Sequence, residues 1–266
     1  MTLFNAILLG LVQGLSEFLP ISSSAHLTLA PHFFGFADPG LAFDVALHFG
    51  TLLALLWYFR AEWIEMVGGA LRIVRTRQVA TVHERRVVYL IVATIPGGIG
   101  GLLLNDYAES TFRSPTLIAC TLATMGVILW AVDRWQPRSR SIEEITLKDA
   151  ILVGCAQVLA LIPGVSRSGS TITAGRALQL DRASAARFSF LMSMPITAAA
   201  VALKVPEALR TEGLSAPLLA GVAAAAISSA LAISVLLRFV GKHSYGVFAA
   251  YRLLLAAAVL VLVLRG

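Results

Sequence analysis

The sequence predicts an all-α polytopic membrane protein. Six full transmembrane helices and two re-entrant helical hairpins would form one membrane domain arranged as inverted repeats. Three observations predict it. The 266 residues are 58% hydrophobic and only 14% charged, whereas soluble domains carry about 25% charged residues. The basic residues are concentrated in alternate connections. A short apolar pattern leading into a proline and a hydroxyl-rich stretch occurs twice.

The start, MTLFNAILLGLVQG, lacks a basic n-region and an A-x-A site, so it does not read as a cleaved signal peptide. Residues 5–19 give about 15 residues of helix, roughly 22 Å at 1.5 Å per residue. A bilayer core of about 30 Å is longer than that. Pro20 disfavours helix at the residue before it, so the helix is expected to stop near Leu19. A new one is expected to begin near Ser22, Ser23 and Ser24. Full crossings follow at 41–59, 87–104 and 115–132, each close to the ~20 residues a span needs. The stretch 60–86 reads as a connection, and the charged cluster 133–148 as a solvated loop.

Then the pattern returns. DAILVGCAQVL (149–159) aligns without gaps on NAILLGLVQGL (5–15), with six of eleven positions identical. Its helix is expected to stop near Ile162, ahead of Pro163, and to restart near Ser166 to Ser170. Crossings at 183–203, 217–237 and 244–264 complete the chain. Three crossings follow each hairpin, an odd number, so the second copy is inverted relative to the first. The repeats would run about 1–132 and about 146–266. Non-helical backbone is tolerated at membrane depth only where protein or a wet cavity surrounds it. Inverted repeats with broken helices place their site at the repeat interface near the midplane, where the two tips should meet.

Of the 21 Lys and Arg, fifteen fall on one side: in 60–86, in 134–148, at Arg176, Arg182 and Arg187, and at Arg238 and Lys242. The opposite connections hold Arg113, Lys204 and Arg210, with Arg265 at the far end. The positive-inside rule puts the basic side in the cytoplasm, so both termini face outward. The net charge of +6 is therefore topology and implies no nucleic-acid partner. Cys120 and Cys155 lie in apolar segments and suggest neither a disulfide framework nor a metal site.

Each tip presents a helix N-terminus, with unpaired N–H groups and partial positive charge. Serine caps such an end well. Two opposed N-termini with the Arg167 guanidinium make a site for a phosphate or diphosphate. Glu17 and His26 exceed what anion binding needs. Nucleophile, base and oxyanion clamp in one pocket is the pattern of phosphoryl transfer. Blander roles stand beside this one. The serines also suit backbone groups freed at a break, a lone His26 suits packing, and Glu17 and Arg167 suit a structural pair. An ionisable residue inside the membrane is nonetheless a functional hypothesis by default. Asp44 and His48, four residues apart, are placed to line the same cavity. Arg252 is expected either to snorkel or to pair with a carboxylate such as Asp44 or Asp106.

At these residues the chain resembles the bacterial undecaprenyl-diphosphate phosphatases, the integral-membrane family linked to bacitracin resistance. QGLSE (13–17) fits the family's (E/Q)-x-x-x-E pattern, PISSSAH its serine-rich stretch ending in histidine, and PGVSRSGST (163–171) its P-G-x-S-R-S-x-x-T pattern. The resemblance implies hydrolysis of undecaprenyl diphosphate to the monophosphate and inorganic phosphate, recycling the cell-wall lipid carrier in the bacterial inner membrane. It implies Glu17, His26, Arg167 and Ser23 as catalytic residues. Gln13, Ser22, Ser24, Ser166, Ser168 and Thr171 would contact substrate. A divalent cation, Mg²⁺ or Ca²⁺, is implied, with Glu17 and Gln13 as candidate ligands. Gln13 stands where many members have glutamate, and Ser24-Ala25 where Thr-Gly is common. Serine and histidine both stand as candidate nucleophiles, as does direct attack by water. The rival class is a transporter or flippase for a phosphorylated lipid or other anion. The helices are compatible with a homodimer and do not specify one.

Overall fold

The computed structural model describes residues 1–109 and 114–265, with backbone alone for Leu41, 105–109, Lys204, Glu207, Ala208, Thr211, Glu212 and Arg265. The Asp106 side chain and Arg113 lie outside the described residues. Eleven α-helices are described: α1 (Leu3–Glu17), α2 (Ser23–Phe34), α3 (Leu41–Tyr58), α4 (Arg60–Thr76), α5 (Val82–Glu109), α6 (Pro115–Trp135), α7 (Leu147–Val158), α8 (Arg167–Ala177), α9 (Arg182–Glu212), α10 (Ala216–Val240) and α11 (Gly246–Arg265). The described residues form no strand, only an isolated bridge between Arg140 and Leu180. Side chains cap the helix starts where the sequence supplies them. Thr146 and Asp149 form a capping box on α7, Asp181 caps α9, and Ser215 caps α10 one residue before Ala216-Pro217.

Five helical segments are long and apolar enough to cross a bilayer: Val82–Leu104, Pro115–Trp135, Arg182–Leu203, Ala216–Val240 and Gly246–Leu264. A sixth passes only as a bent pair, Ala42–Tyr58 with Arg60–Thr76, whose axes differ by 82°. Leu102, Ile227 and Leu254 are more than two-thirds exposed, the surface expected where lipid is the solvent. The chain is a multi-pass membrane protein. The stretch expected to connect the first two crossings is thus largely helix. Trp63, Met66, Ala70 and Ile73 recur at helical spacing and pack on the core. Interleaved arginines mask that period in the sequence.

Small residues set the closest helix contacts, as in membrane packing generally. A Cβ on Gly10 of α1 would lie 2.2 Å from the Gly221 carbonyl oxygen of α10, and one on Gly14 2.0 Å from Ser228 Oγ. A Cβ on Gly154 of α7 would lie 2.5 Å from the Ala93 carbonyl oxygen of α5. Gly10 and Gly154 are equivalent positions of the eleven-residue repeat. So α1 packs on α10 as α7 packs on α5, while α3 lies against both α10 and α9, and α6 against α11.

The 133–148 cluster is not simply a solvated loop. Asp133 is 2% exposed and accepts from Arg182 at 2.7 and 2.8 Å, from Arg176 Nε at 3.1 Å and from the Tyr245 N–H at 3.0 Å. Arg176 also donates to the Gln136 and Pro137 carbonyls. Arg140 holds Asp149 at 2.5 Å and the Leu178 carbonyl at 2.9 Å. Guanidinium forks convert this segment into a clamp across α6, α7, α8, α9 and the start of α11.

Candidate active site

The two proline breaks share one local construction. α1 ends at Glu17 and α2 starts at Ser23; α7 ends at Val158, a single 3₁₀ turn follows at Leu159–Leu161, and α8 starts at Arg167. These boundaries lie within a few residues of those expected from Pro20 and Pro163. The N-caps Ser22 and Ser166 have φ of 76° and 74°, a region disfavoured for side-chain-bearing residues and typical of functional sites. Ser22 Oγ accepts from the Ala25 N–H, and Ser166 Oγ from the Gly169 N–H at 3.0 Å. Each cap hydroxyl lies 3.1 Å from the serine two residues on, Ser24 or Ser168.

The breaks are joined. The Gly164 N–H donates to Ser22 Oγ at 3.2 Å, and Ser168 Oγ donates to the Leu19 carbonyl at 2.9 Å. Arg252 is fully buried, and its guanidinium donates to the carbonyls of Pro20, Thr121, Leu122, Gly164 and Val165 at 2.7–3.5 Å. Pairing of Arg252 with the Asp44 carboxylate is therefore corrected: carbonyls at the two breaks, and two of α6, take its donors. The breaks release the Pro20, Gly164 and Val165 carbonyls from helical pairing, and a buried acceptor requires a donor.

A cavity of about 260 Å³ opens against both tips, lined by Glu17, Ser23, Ser24, His48, Gln157, Ser166 and Arg167, with apolar walls that include Val45 and Ile196. Glu17 is its hub. Oε2 accepts from Ser23 Oγ at 2.5 Å and from Gln13 Nε2 at 3.0 Å, and His48 Nε2 faces it at 3.5 Å. Oε1 pairs with Arg167. Arg167 is oriented from behind by the Ser193 carbonyl at 3.0 Å and Thr197 Oγ1 at 2.9 Å. His48 is held by its Nδ1, 2.8 Å from the Asp44 carbonyl oxygen.

The structure thus gathers Glu17, Ser23, Ser24, Ser166 and Arg167 around one space. Gln13 is fully buried behind Glu17, and Ser22 joins the tips. Ser168 and Thr171 do not line the cavity: Ser168 donates to the Leu19 carbonyl, and Thr171 Oγ1 donates to the Arg167 carbonyl and lies 2.7 Å from Ser189 Oγ. His26 turns away from it as well. Its Nδ1 lies 2.7 Å from the Ser22 carbonyl oxygen, and its Nε2 lies 2.7 Å from Tyr251 Oη, the rings lying nearly parallel. The sequence reading did not single out Thr197, Tyr251 or Gln157; it placed Asp44 and His48 on the cavity, and His48 is found there while Asp44 is not in its lining. Gln157 could have been found as the repeat equivalent of Gln13.

A serine hydroxyl, a carboxylate bonded to it and a guanidinium meet at one cavity, beside two helix N-termini. That set is suited to displacement at phosphorus. The family model for bacitracin resistance protein BacA matches residues 6–258. A protein of Gemmatimonas aurantiaca called undecaprenyl-diphosphatase is 72% identical over 259 residues, 97% of each chain. Proteins of the same name from Moorella thermoacetica and Pelotomaculum thermopropionicum are 51% and 46% identical over at least 97% of each chain. With nearly its whole length matched, the chain belongs to the BacA family of membrane proteins.

Proposed function

We propose that this chain hydrolyses undecaprenyl diphosphate to undecaprenyl phosphate and inorganic phosphate, with Ser23 as nucleophile, Glu17 as its base and Arg167 as the anion clamp. Family membership and the relatives' shared activity favour hydrolysis over transport. The observation that carries the assignment of roles is Ser23 Oγ at 2.5 Å from a Glu17 carboxylate whose other oxygen meets Arg167.

In the first step Ser23 Oγ attacks the terminal phosphorus while its proton passes to Glu17. The bond to the bridging oxygen breaks, and undecaprenyl phosphate leaves with that oxygen. Arg167 and the first N–H groups of α2 and α8 stabilise charge on the transferring group. Glu17 releases its proton to solvent or product. Water then attacks the phosphoserine with Glu17 as base, and the returning proton restores Ser23. The prenyl tail has an apolar path beside the cavity, a groove lined by Ile95, Ile99, Leu103 and Val158.

A divalent cation, Mg²⁺ or Ca²⁺, belongs to this reading. Among the described residues no group of three or more metal-binding side chains occurs. However, the buried Gln13 Oε1, unpartnered among the described residues, stands beside Glu17. These oxygens would hold the ion, which would complete its shell from diphosphate oxygens and water. When bound it would supply neutralisation of phosphate charge.

The six-crossing, two-hairpin architecture as inverted repeats belongs to this reading too. The equivalent caps Ser22 and Ser166 and the equivalent packing of α1 on α10 and α7 on α5 support it. The distribution of basic residues supports a plasma-membrane orientation with termini and cavity mouth on the periplasmic side.

The test is purified protein in lipid nanodiscs with undecaprenyl diphosphate labelled in its terminal phosphate and Mg²⁺ present. Release of labelled phosphate, with label on Ser23 after a millisecond acid quench, is expected. Turnover with no label on any residue would replace the serine step by direct attack of water; label on His26 would reassign the nucleophile.

A further inference from the structure

Gln157 is 4% exposed and lines the cavity, and neither Nε2 nor Oε1 of its amide has a hydrogen-bond partner among the described residues. Buried polar groups are almost always paired, and one that is not calls for an explanation. Here both ends of one amide are left over at the wall of a cavity, facing the space a ligand would enter.

Its position is built rather than incidental. A Cβ on Gly97 would lie 2.3 Å from Gln157 Nε2 and 3.3 Å from its Cγ. Any larger residue at 97 would displace the amide. The repeat shows what the amide lacks. Gln13, its equivalent in α1, donates to Glu17 four residues on; the fourth residue after Gln157 is Leu161, which offers no acceptor. The first copy spends its glutamine on the carboxylate, and the second leaves it facing the space that Arg167 and Ser23 also face.

Resting on the phosphatase reading above, we propose that Gln157 is a substrate-binding residue for the lipid-borne diphosphate. Nε2 donates to a non-bridging phosphate oxygen, and Oε1 accepts from the water that later attacks the phosphoserine. A neutral amide does both without repelling the anion, as a carboxylate would.

The experiment uses the full chain in nanodiscs on a Ser23→Ala background, which binds substrate without turnover. Gln157→Met keeps the length and bulk of the side chain and removes both polar ends. It is expected to raise the Kd for undecaprenyl diphosphate about ten- to a hundredfold, the effect of one hydrogen bond to a charged group. With Ser23 restored, kcat/KM should fall by a similar factor. An unchanged Kd with unchanged kcat/KM would show that Gln157 only packs against Gly97, and would overturn the proposal. If Gln157→Met does not yield a monodisperse protein, Gln157→Glu decides by the same measurement: weaker binding supports the proposal, and wild-type binding overturns it. Because Kd is read without turnover, a failure here is distinguishable from a failure of the Ser23 assignment, which is read by labelling.

Discussion

The two proline breaks are built alike and equipped differently. Ser22 and Ser166 adopt nearly the same unusual backbone angle, cap the helices that follow and touch a serine two residues on. The next position is Ser23 in one tip and Arg167 in the other, and the residue at the end of the entering arm is Glu17 in one and Leu161 in the other. The repeated part is the scaffold that presents a helix N-terminus beside the cavity. In the proposed reaction the chemistry is divided, with the Ser23 hydroxyl and Glu17 carboxylate on the first tip and the Arg167 guanidinium on the second. A symmetric pair of serine tips would bind an anion; only the divergence supplies attack and charge neutralisation together.

The sharpest way to break this division is Ser23→Ala. Phosphate release in single-turnover assays should fall at least about a thousandfold, as when a nucleophile acting with its partners is removed; a fall of less than tenfold would return the first tip to a binding role. Next is Arg167→Ser, which makes the second tip copy the first at that position. Activity should drop about a hundredfold or more, the scale for loss of a charge-stabilising donor. The protein should remain monodisperse, since Arg167 lines the cavity rather than the core. Near-normal turnover would mean that the two tips are not specialised.

The scaffold itself predicts smaller effects. Ser166→Ala should lower stability by about 1 kcal/mol, a lost helix cap. Ser22→Ala should cost more, because Ser22 Oγ also accepts from Gly164 of the other tip; thermal melts in one detergent would rank them. Equal losses would argue against a role for Ser22 in joining the breaks. Smallest of all is Tyr251→Phe, which removes the partner of His26 Nε2. Turnover should change about threefold or less, the low end for a neutral hydrogen bond. A larger fall in kcat would bring His26 back among the reacting groups.

Much of this was legible because membranes penalise polarity. Proline inside an apolar run, consecutive hydroxyls, Glu17 and Arg167 all stood out against lipid-compatible neighbours, and the two breaks were found where expected. What was not legible depended on partners distant in sequence. Arg252 could not be paired correctly, because its acceptors are backbone carbonyls, three at the breaks beside Pro20 and Pro163 and two within α6. His26 was expected near the serines on one helical face, but Tyr251, 225 positions away, draws its ring outward. The helix Arg60–Thr76 hid behind its arginines, and Asp133 behind a charged neighbourhood that is buried only once α8 and α9 close over it. Gln157 carries no charge and so drew no notice, although its copy in α1 had been marked.

The buried guanidinium of Arg252 bears on how the lipid reaches the site. Alternating access would require one repeat to rock against the other, drawing Pro20 away from Gly164 and Val165. That motion would strand a permanent cation with several of its five acceptors gone, each worth about 1.5–3 kcal/mol when a charged group is involved. Arg252 thus ties the two breaks together, and a site held this way favours chemistry at a fixed place over transport by rocking.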